Sequence, residues 1–277
     1  MKRRRFLAST AAVALTIVGL TTACGGGQSA GGDGAAGGDG AAGNGESGGG
    51  VLTMATSADY PPYEFVETAG GAEEIVGFDV DIARHIAEEL GYELEITNID
   101  FNGLIPALQA GRADFVMAGM TPTEERKQNV DFSEIYYEAR QTIVFPSGGG
   151  IASPADLEGK TVGVQLGSIQ EELANKLVEE TPSIELSPLN RINEIVQELK
   201  SGRVDAAIIE DTVAKGFLEN NPDLESVEIP AEGPVGSAIA FPKDSELVSD
   251  FNEVLAEMES SGLMEELIVK WFGDGAE

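Results

Sequence analysis

Ala107-Leu-Gln-Ala-Gly-Arg-Ala-Asp114-Phe-Val-Met-Ala-Gly119-Met-Thr121 can be laid on Glu198-Leu-Lys-Ser-Gly-Arg-Val-Asp205-Ala-Ala-Ile-Ile-Glu210-Asp-Thr212 at a constant offset of 91 residues. Leu108, Gly111, Arg112, Asp114 and Thr121 match Leu199, Gly202, Arg203, Asp205 and Thr212. Each copy reads as a helix, a glycine stop, an Arg-x-Asp turn, an apolar strand and a polar loop. The period is too long for a solenoid. Two α/β lobes of like topology, each near 100 residues, are the simplest account.

The flanking sequence extends this reading. Val51–Thr56 reads as a strand. Asp79 is expected to cap a helix with Val80, Ala83, Ile86, Ala87 and Leu90 on one face and Gly91 as its stop. Glu93–Asn98 reads as a strand, Gly103–Ala110 as a short helix and Asp114–Ala118 as a buried strand, giving a βαβαβ order and a mainly parallel sheet covered by helices.

In open α/β sheets ligands gather at the carboxyl ends of strands. Here those ends are Ala118–Thr121, Glu210-Asp211, and Gln165–Ser168 after the strand Thr161–Val164. Thr121-Pro-Thr-Glu124 and Ser168-Ile-Gln-Glu171 carry capping-box spacing, so each predicts a helix start, which suits a carboxylate. Arg126 lies one turn into the first of these helices. It is either a bidentate carboxylate fork or a solvated helix arginine paired with a nearby glutamate.

The chain has 277 residues, with 48 acidic against 17 basic, for a formal net charge of −31. That charge argues against nucleic acid and anionic lipid as partners. One Cys excludes a disulfide framework, and one His with one Cys cannot make a zinc site of the usual N/S kind. A Ser-His-Asp mechanism could draw only on His85. No metal or cofactor is expected.

Residues 1–23 read as a signal peptide. Lys2, Arg3, Arg4 and Arg5 precede the apolar run Phe6–Leu20, and Arg3-Arg4-Arg5-Phe6-Leu7 fits twin-arginine export, with a general secretory signal as the alternative. Cys24 after Thr21-Thr22-Ala23 resembles a lipobox, although Thr21 stands where Leu is usual. Residues 24–50 are then a lipidated Cys and a tether, with 14 Gly among the 26 residues of 25–50. The tether reaches roughly 25–30 Å. Losing the four basic residues of the leader leaves a mature charge of −35, which suits strong brine, where salt screens the repulsion.

Gly77-Phe-Asp79-Val-Asp81-Ile-Ala-Arg-His-Ile86-Ala87-Glu-Glu-Leu90 fits the signature of the solute-binding proteins of polar amino-acid ABC importers, bacterial solute-binding protein family 3. Asp59–Phe65, Gly103–Asp114, Thr121–Arg126, Val130–Ser133 and Gly159–Gly163 also resemble it, over about residues 51–273. The resemblance implies an α/β, two-lobed periplasmic-binding-protein-like fold, with two mixed sheets and flanking helices joined by two crossover strands. Lobe 1 would be 51–142 plus 236–277 and lobe 2 would be 143–235. The crossovers are expected near Gln141–Ser147 and Gly233–Phe241, with a helix Leu263–Phe272 packing back on lobe 1.

It also implies an extracytoplasmic, lipid-anchored, monomeric protein that captures a polar or cationic amino acid by hinge closure and delivers it to an ABC permease and its ATPase. Carried over by position, Tyr60 and Phe101 would flank the ligand side chain, with ordinary core aromatics as the lesser alternative. Gly119 would offer a carbonyl, and Thr121 an N–H and a hydroxyl. Arg126 would take the α-carboxylate with the N–H groups of Ser168 and Ile169, and Glu210 the α-ammonium. Ser57, Tyr63, Gln165 and Asp211 are further candidates. Asp79 and Asp81 read as helix-capping, solvated acids. A cyclohexadienyl or arogenate dehydratase-like enzyme on the same fold is the alternative, with Glu210 as its acid/base. A sensor domain is a third reading, disfavoured because the sequence carries no second hydrophobic span or kinase segment.

Overall fold

The computed structural model describes residues 49–69, 71–230 and 235–273. The leader, Cys24 and the tether up to residue 48 lie outside the described residues. Among those described, no helix is long and apolar enough to cross a membrane.

The first lobe comprises β1 (Val51–Thr56), β2 (Asp59–Tyr60), β3 (Glu64–Ala69), β4 (Ala72–Val76), α1 (Phe78–Glu89), β5 (Glu93–Asn98), α2 (Leu104–Gln109), β6 (Phe115–Val116), α3 (Glu124–Lys127) and β7 (Asp131–Ala139). The second comprises β8 (Gln141–Pro146), β9 (Thr161–Gln165), α4 (Ile169–Glu180), β10 (Glu185–Leu189), α5 (Ile192–Lys200), β11 (Ala206–Glu210), α6 (Asp211–Asn220) and β12 (Leu224–Glu228). The chain then returns to the first sheet in β13 (Val235–Phe241) and ends in α7 (Leu247–Ser261) and α8 (Leu263–Phe272).

Each lobe is built on a five-stranded mixed sheet, ordered β5-β1-β6-β13-β7 in one and β10-β9-β11-β8-β12 in the other. Parallel pairing holds β1 to β5 and β6, and β9 to β10 and β11, while the strands next to each crossing pair antiparallel. The sheet changes at Arg140, between β7 and β8, and again between Glu228 and Val235. The segments expected to cross, 141–147 and 233–241, hold strands that each pair within one sheet, and the passages come just upstream. A third, small antiparallel sheet, β2-β3-β4, was not anticipated from sequence. It carries Asp59, Tyr60 and Glu64, all three buried.

The repeated sequence forms one repeated device. Gly111 and Gly202 take left-handed φ values of 64° and 71°, which end α2 and α5 and turn the chain. Asp114 then exchanges two bonds with Thr53 of β1: its N–H donates to the Thr53 carbonyl at 2.8 Å, and its carboxylate accepts the Thr53 N–H at 2.7 Å. Asp205 does the same with Thr161 of β9, both at 2.8 Å. Leu108 and Leu199 are buried beneath these turns. In both lobes this clasp fixes where the next strand ends, and therefore where the cleft residues begin.

Helix α1 starts two residues earlier than the sequence suggested. Gly77, not Asp79, is its N-cap, at φ 140°. A Cβ on Gly77 would lie 2.1 Å from the Tyr63 carbonyl, so glycine is what lets the Pro61–Tyr63 segment press against the helix start. Phe78 and Asp79 then donate their N–H groups to the Pro62 and Tyr63 carbonyls. Placed there, Asp79 points inward and is fully buried. Helix α8 packs where expected: Phe272 stacks on Tyr137 at 4.4 Å and meets Phe78 edge-on at 5.0 Å. Asp81 accepts from Lys270 and from the Trp271 indole, tying α1 to α8 rather than facing water alone.

Candidate functional site

A cavity between the lobes is lined from the first by Ser57, Tyr60, Glu64, Phe101, Ala118, Gly119, Thr121 and Arg126. The second contributes Gln165, Ser168, Ile169, Gln170 and Glu210. These residues sit at the carboxyl ends of β1, β6, β9 and β11, where the sheet topology puts a ligand. The lobes leave only a narrow space between these residues. Three contacts hold the lobes together at its rim. The Ile192 N–H at the start of α5 donates to Asp59 Oδ2 at 2.6 Å, Arg191 pairs with Asp100 at 2.8 Å, and Arg126 donates to the Gly167 carbonyl at 3.0 Å.

Arg126 is the cation of the cavity. It is buried, donates Nη1 to the Thr121 carbonyl at 2.9 Å, and lies 5.4 Å from the Phe101 ring centroid. Those contacts replace the solvated, glutamate-paired reading left open by the sequence. Burial lowers its pKa from the ordinary arginine value, and the Glu172 and Glu125 charges partly offset this. Both N–H to carbonyl bonds leave the guanidinium charge uncompensated, so it is ready for an anion. Ser168 caps α4 by accepting the Glu171 N–H at 3.1 Å. The Ser168 N–H and hydroxyl both turn to the Gln165 carbonyl, at 3.2 and 2.7 Å, so the free N–H groups that this twelve-residue helix offers the cavity are those of Ile169 and Gln170 rather than of Ser168.

The rest of the site is rich in carboxylates. Glu210 ends β11 as the N-cap residue of α6 and is buried; Thr212 Oγ1 donates to it at 2.7 Å. Burial pushes it up to about 7, against the lowering influence of the Tyr63 and Thr212 hydroxyls. Asp79 sits behind the cavity wall, accepting the Gly119 N–H at 2.9 Å and the Tyr136 hydroxyl at 2.9 Å. Burial pushes it up to about 6 despite those donors. Asp59 is also raised by burial, opposed by the Ile192 N–H and the Ser57 hydroxyl. Glu64 is fully enclosed; neither of its oxygens receives an N–H or hydroxyl, and of the described residues only the Asp79 carboxyl lies within hydrogen-bond reach of it. Among the described residues, no group of three or more His, Cys, Asp or Glu is placed to hold a metal ion.

Comparison with known proteins places this arrangement. The profile of the Bacterial extracellular solute-binding proteins, family 3, matches residues 52–274. The chain belongs to that family. It is similar to the arginine-binding extracellular protein ArtP of Bacillus subtilis (strain 168), at 49% identity over 94% of this chain and 95% of that one. An ancestral arginine-binding protein bound to arginine superposes with a TM-score of 0.76 at 43% identity, over 81% of this chain and 99% of its own. An amino acid ABC transporter substrate-binding protein from Streptococcus pneumoniae bound to L-arginine superposes equally well, TM-score 0.76, at 37% identity over 82% and 97%. Family 3 membership makes this chain a solute-binding protein and not an enzyme, which sets the dehydratase alternative aside.

Of the family positions carried over from sequence, Tyr60, Phe101, Gly119, Thr121, Arg126, Ser168, Ile169 and Glu210 all line the cavity, as do Ser57 and Gln165. Gly119 takes φ 52°, and a Cβ there would come 3.3 Å from the Tyr60 ring, so the aromatic wall depends on that glycine. Tyr63 and Asp211 do not line the cavity. Tyr63 is fully buried behind Tyr60, 5.7 Å between ring centroids. Asp211 instead accepts the Arg140 and Thr212 N–H groups, on the outer side of β11.

Two sequence readings fail here. Asp79 is a buried strut, not a solvated cap, because the helix starts at Phe78. The N-cap of α3 is Thr123, whose hydroxyl accepts the Arg126 N–H at 3.2 Å, and Thr121 is left outside a helix only four residues long. Glu64 and Gln170 line the cavity but are not among the candidates read from sequence, whereas Ala118 lies in a strand end that was. Glu64 could have been found from Gly70-Gly71 between two strand-like runs, a hairpin signal. That hairpin pairs β3 with β4, and the second pairing, β2 with β3 across Pro61–Tyr63, sets Glu64 opposite Tyr60.

Proposed function

We propose that the ligand is L-arginine, held as a zwitterion with a third charge. The chain is the amino-acid-binding subunit of an ABC importer, and it hands its ligand to a membrane permease. The observation that carries the arginine reading is Glu64, a fully buried carboxyl group on the cavity wall with no donor for either oxygen. A guanidinium, with its planar fork of N–H donors, supplies what that group lacks. The arginine-binding relatives support the same reading.

In this reading Arg126 and the start of α4 at Ile169 and Gln170 hold the α-carboxylate, Glu210 holds the α-ammonium, and Tyr60 and Phe101 sandwich the side chain. The lobes bend about Arg140 and the segment between Glu228 and Val235, closing the rim contacts over the ligand. Cys24 carries a lipid and the glycine-rich segment tethers the domain close to the outer membrane face, after export by the twin-arginine route. The protein works as a monomer, and its acidic surface suits high salt.

Calorimetric titration in molar salt tests the ligand assignment. Arginine should bind, with lysine, histidine and glutamine weaker. Prephenate should neither bind nor be turned over. An arginine affinity no better than that for glutamine would remove Glu64 as the selecting group. Cys24→Ser should release the protein from the membrane fraction, and retention would count against the anchor.

A further inference from the structure

Glu64 raises a question that amino-acid binding alone does not answer: in what ionic form does it wait? It is fully buried, and no N–H or O–H points at either oxygen. The charged and titratable groups facing it come from every element packed around it. Asp59 and Tyr60 are on β2, Asp79 on α1, Tyr136 on β7, and Glu210 at the end of β11. Asp79 already takes both the Gly119 N–H and the Tyr136 hydroxyl, at 2.9 Å each, so no N–H or hydroxyl is left for Glu64, whose one polar neighbour within hydrogen-bond reach among the described residues is the Asp79 carboxylate, to which a protonated Glu64 donates. The cation in the same cavity, Arg126, is turned to the Thr121 and Gly167 carbonyls. An ionised carboxylate enclosed without donors and ringed by other carboxylates is strongly disfavoured and takes up a proton instead.

We propose that capture of a cationic side chain by this site expels a proton from Glu64, so that binding of arginine releases one proton more than binding of a neutral isostere, any proton displaced from Glu210 by the α-ammonium being common to both. The step balances simply. The Glu64 O–H bond breaks, its electron pair stays on the carboxylate, the proton passes to water or buffer, and the incoming guanidinium replaces it as the positive partner. Nothing is oxidised or reduced. The direction agrees with the local electrostatics. Burial, and then the charges of Asp79, Asp59 and Glu210, raise the Glu64 carboxyl well above the usual range. Apparent affinity for arginine should therefore rise with pH, up to tenfold per unit, until Glu64 is ionised before the ligand arrives, and level off above that. Citrulline carries a neutral urea in place of the guanidinium, so its affinity should not gain with pH from this source.

The inference rests on the arginine reading, and one experiment separates their failures. The full chain is titrated calorimetrically with arginine and with citrulline, at several values from about pH 5 to about pH 8. Each titration is run in buffers of different ionisation enthalpy, and the slope of observed heat against buffer enthalpy counts protons. The expected result is that arginine releases about one proton more than citrulline at the acid end of the series. Citrulline should release substantially less at every pH. Glu64→Gln should bring arginine to the citrulline value, and Glu64→Asp should keep a release. No binding of arginine defeats the arginine reading itself. Binding of arginine with no proton release anywhere in the range, or equal release by both ligands, overturns the proposal while leaving that reading standing. The comparison of two ligands on the unmodified protein decides the matter even if the Glu64 variants do not fold.

Discussion

The two lobes share a scaffold and differ in what they hang on it. In both, a helix ends at a left-handed glycine, an aspartate clasps the neighbouring parallel strand (β1 in one lobe, β9 in the other), and a short buried strand runs towards the cleft. Beyond that point they diverge. After β6 the chain loops through Gly119 to Thr123 before a four-residue helix, and the loop delivers a buried cation, Arg126. After β11 it passes directly into α6, and the strand end delivers a buried carboxylate, Glu210. One repeated device thus presents opposite charges to the same cavity. The scaffold sets the place, and the few residues after the strand set the sign.

Changing the sign-bearing residues should have the largest effect. Arg126→Ala and Glu210→Gln each leave one end of a zwitterion desolvated and unpaired, at a cost of about 2–5 kcal/mol. Arginine affinity should fall roughly 30-fold to several thousand-fold by calorimetry. A loss from one variant but not the other would mean that only one lobe grips the ligand by charge.

Protonation sharpens the comparison next. Asp79 of lobe 1 is raised from 3.8 to about 6 and Glu210 of lobe 2 from 4.5 to about 7. The folded protein therefore binds these protons more tightly than the unfolded chain. The stability each contributes is fully present below about pH 4 and is lost as pH rises through about 6 and then about 7. The loss is on the order of 3 kcal/mol for each group. Unfolding midpoints in urea at constant molar salt should fall across that interval. Asp79→Asn should flatten the lower part and Glu210→Gln the upper; an unchanged slope in both would mean that other groups carry the dependence.

The shared clasps come third. Asp114→Ala and Asp205→Ala should each destabilise by about 1–3 kcal/mol, because each strips an acceptor from a strand N–H. Similar losses in chemical denaturation would support equal duty in the two lobes, and a difference of several-fold would break the equivalence. The smallest effect is expected at Asp211, which lies outside the cavity. Asp211→Asn should leave arginine affinity within about twofold, since substitutions away from such sites usually cost little.

Much of the fold was readable because its signals are local. Glycine stops, the Arg-x-Asp turn and the apolar strand repeat at one offset, and α8 occupies the span expected of it, Leu263–Phe272. Arg126, Ser168 and Glu210 were found because strand ends and helix starts concentrate ligand groups. Asp79 was misread because an acid in the first turn of a helix ordinarily faces solvent, and only the close approach of Tyr63 to Gly77 turns this one inward. Glu64 was missed because its burial depends on a hairpin paired across residues 59–76 and on Glu210, 146 positions later in the chain. Tyr63 and Asp211 were each one shell out. Adjacency to a contact residue says nothing about which way a side chain turns at a bend.

The rim contacts bear on time rather than on selectivity. Asp59 with the Ile192 N–H and Asp100 with Arg191 join the lobes outside the space where a ligand would lie. A molecule shut behind them leaves no faster than they open, whatever its own chemistry. Arg191 and Asp100 are each about a third exposed, so salt should loosen that pair more readily than the enclosed charges. Rising ionic strength would then shorten the residence of every ligand by a similar factor and leave their ranking untouched. The importer would keep its preference while its delivery cycle ran faster.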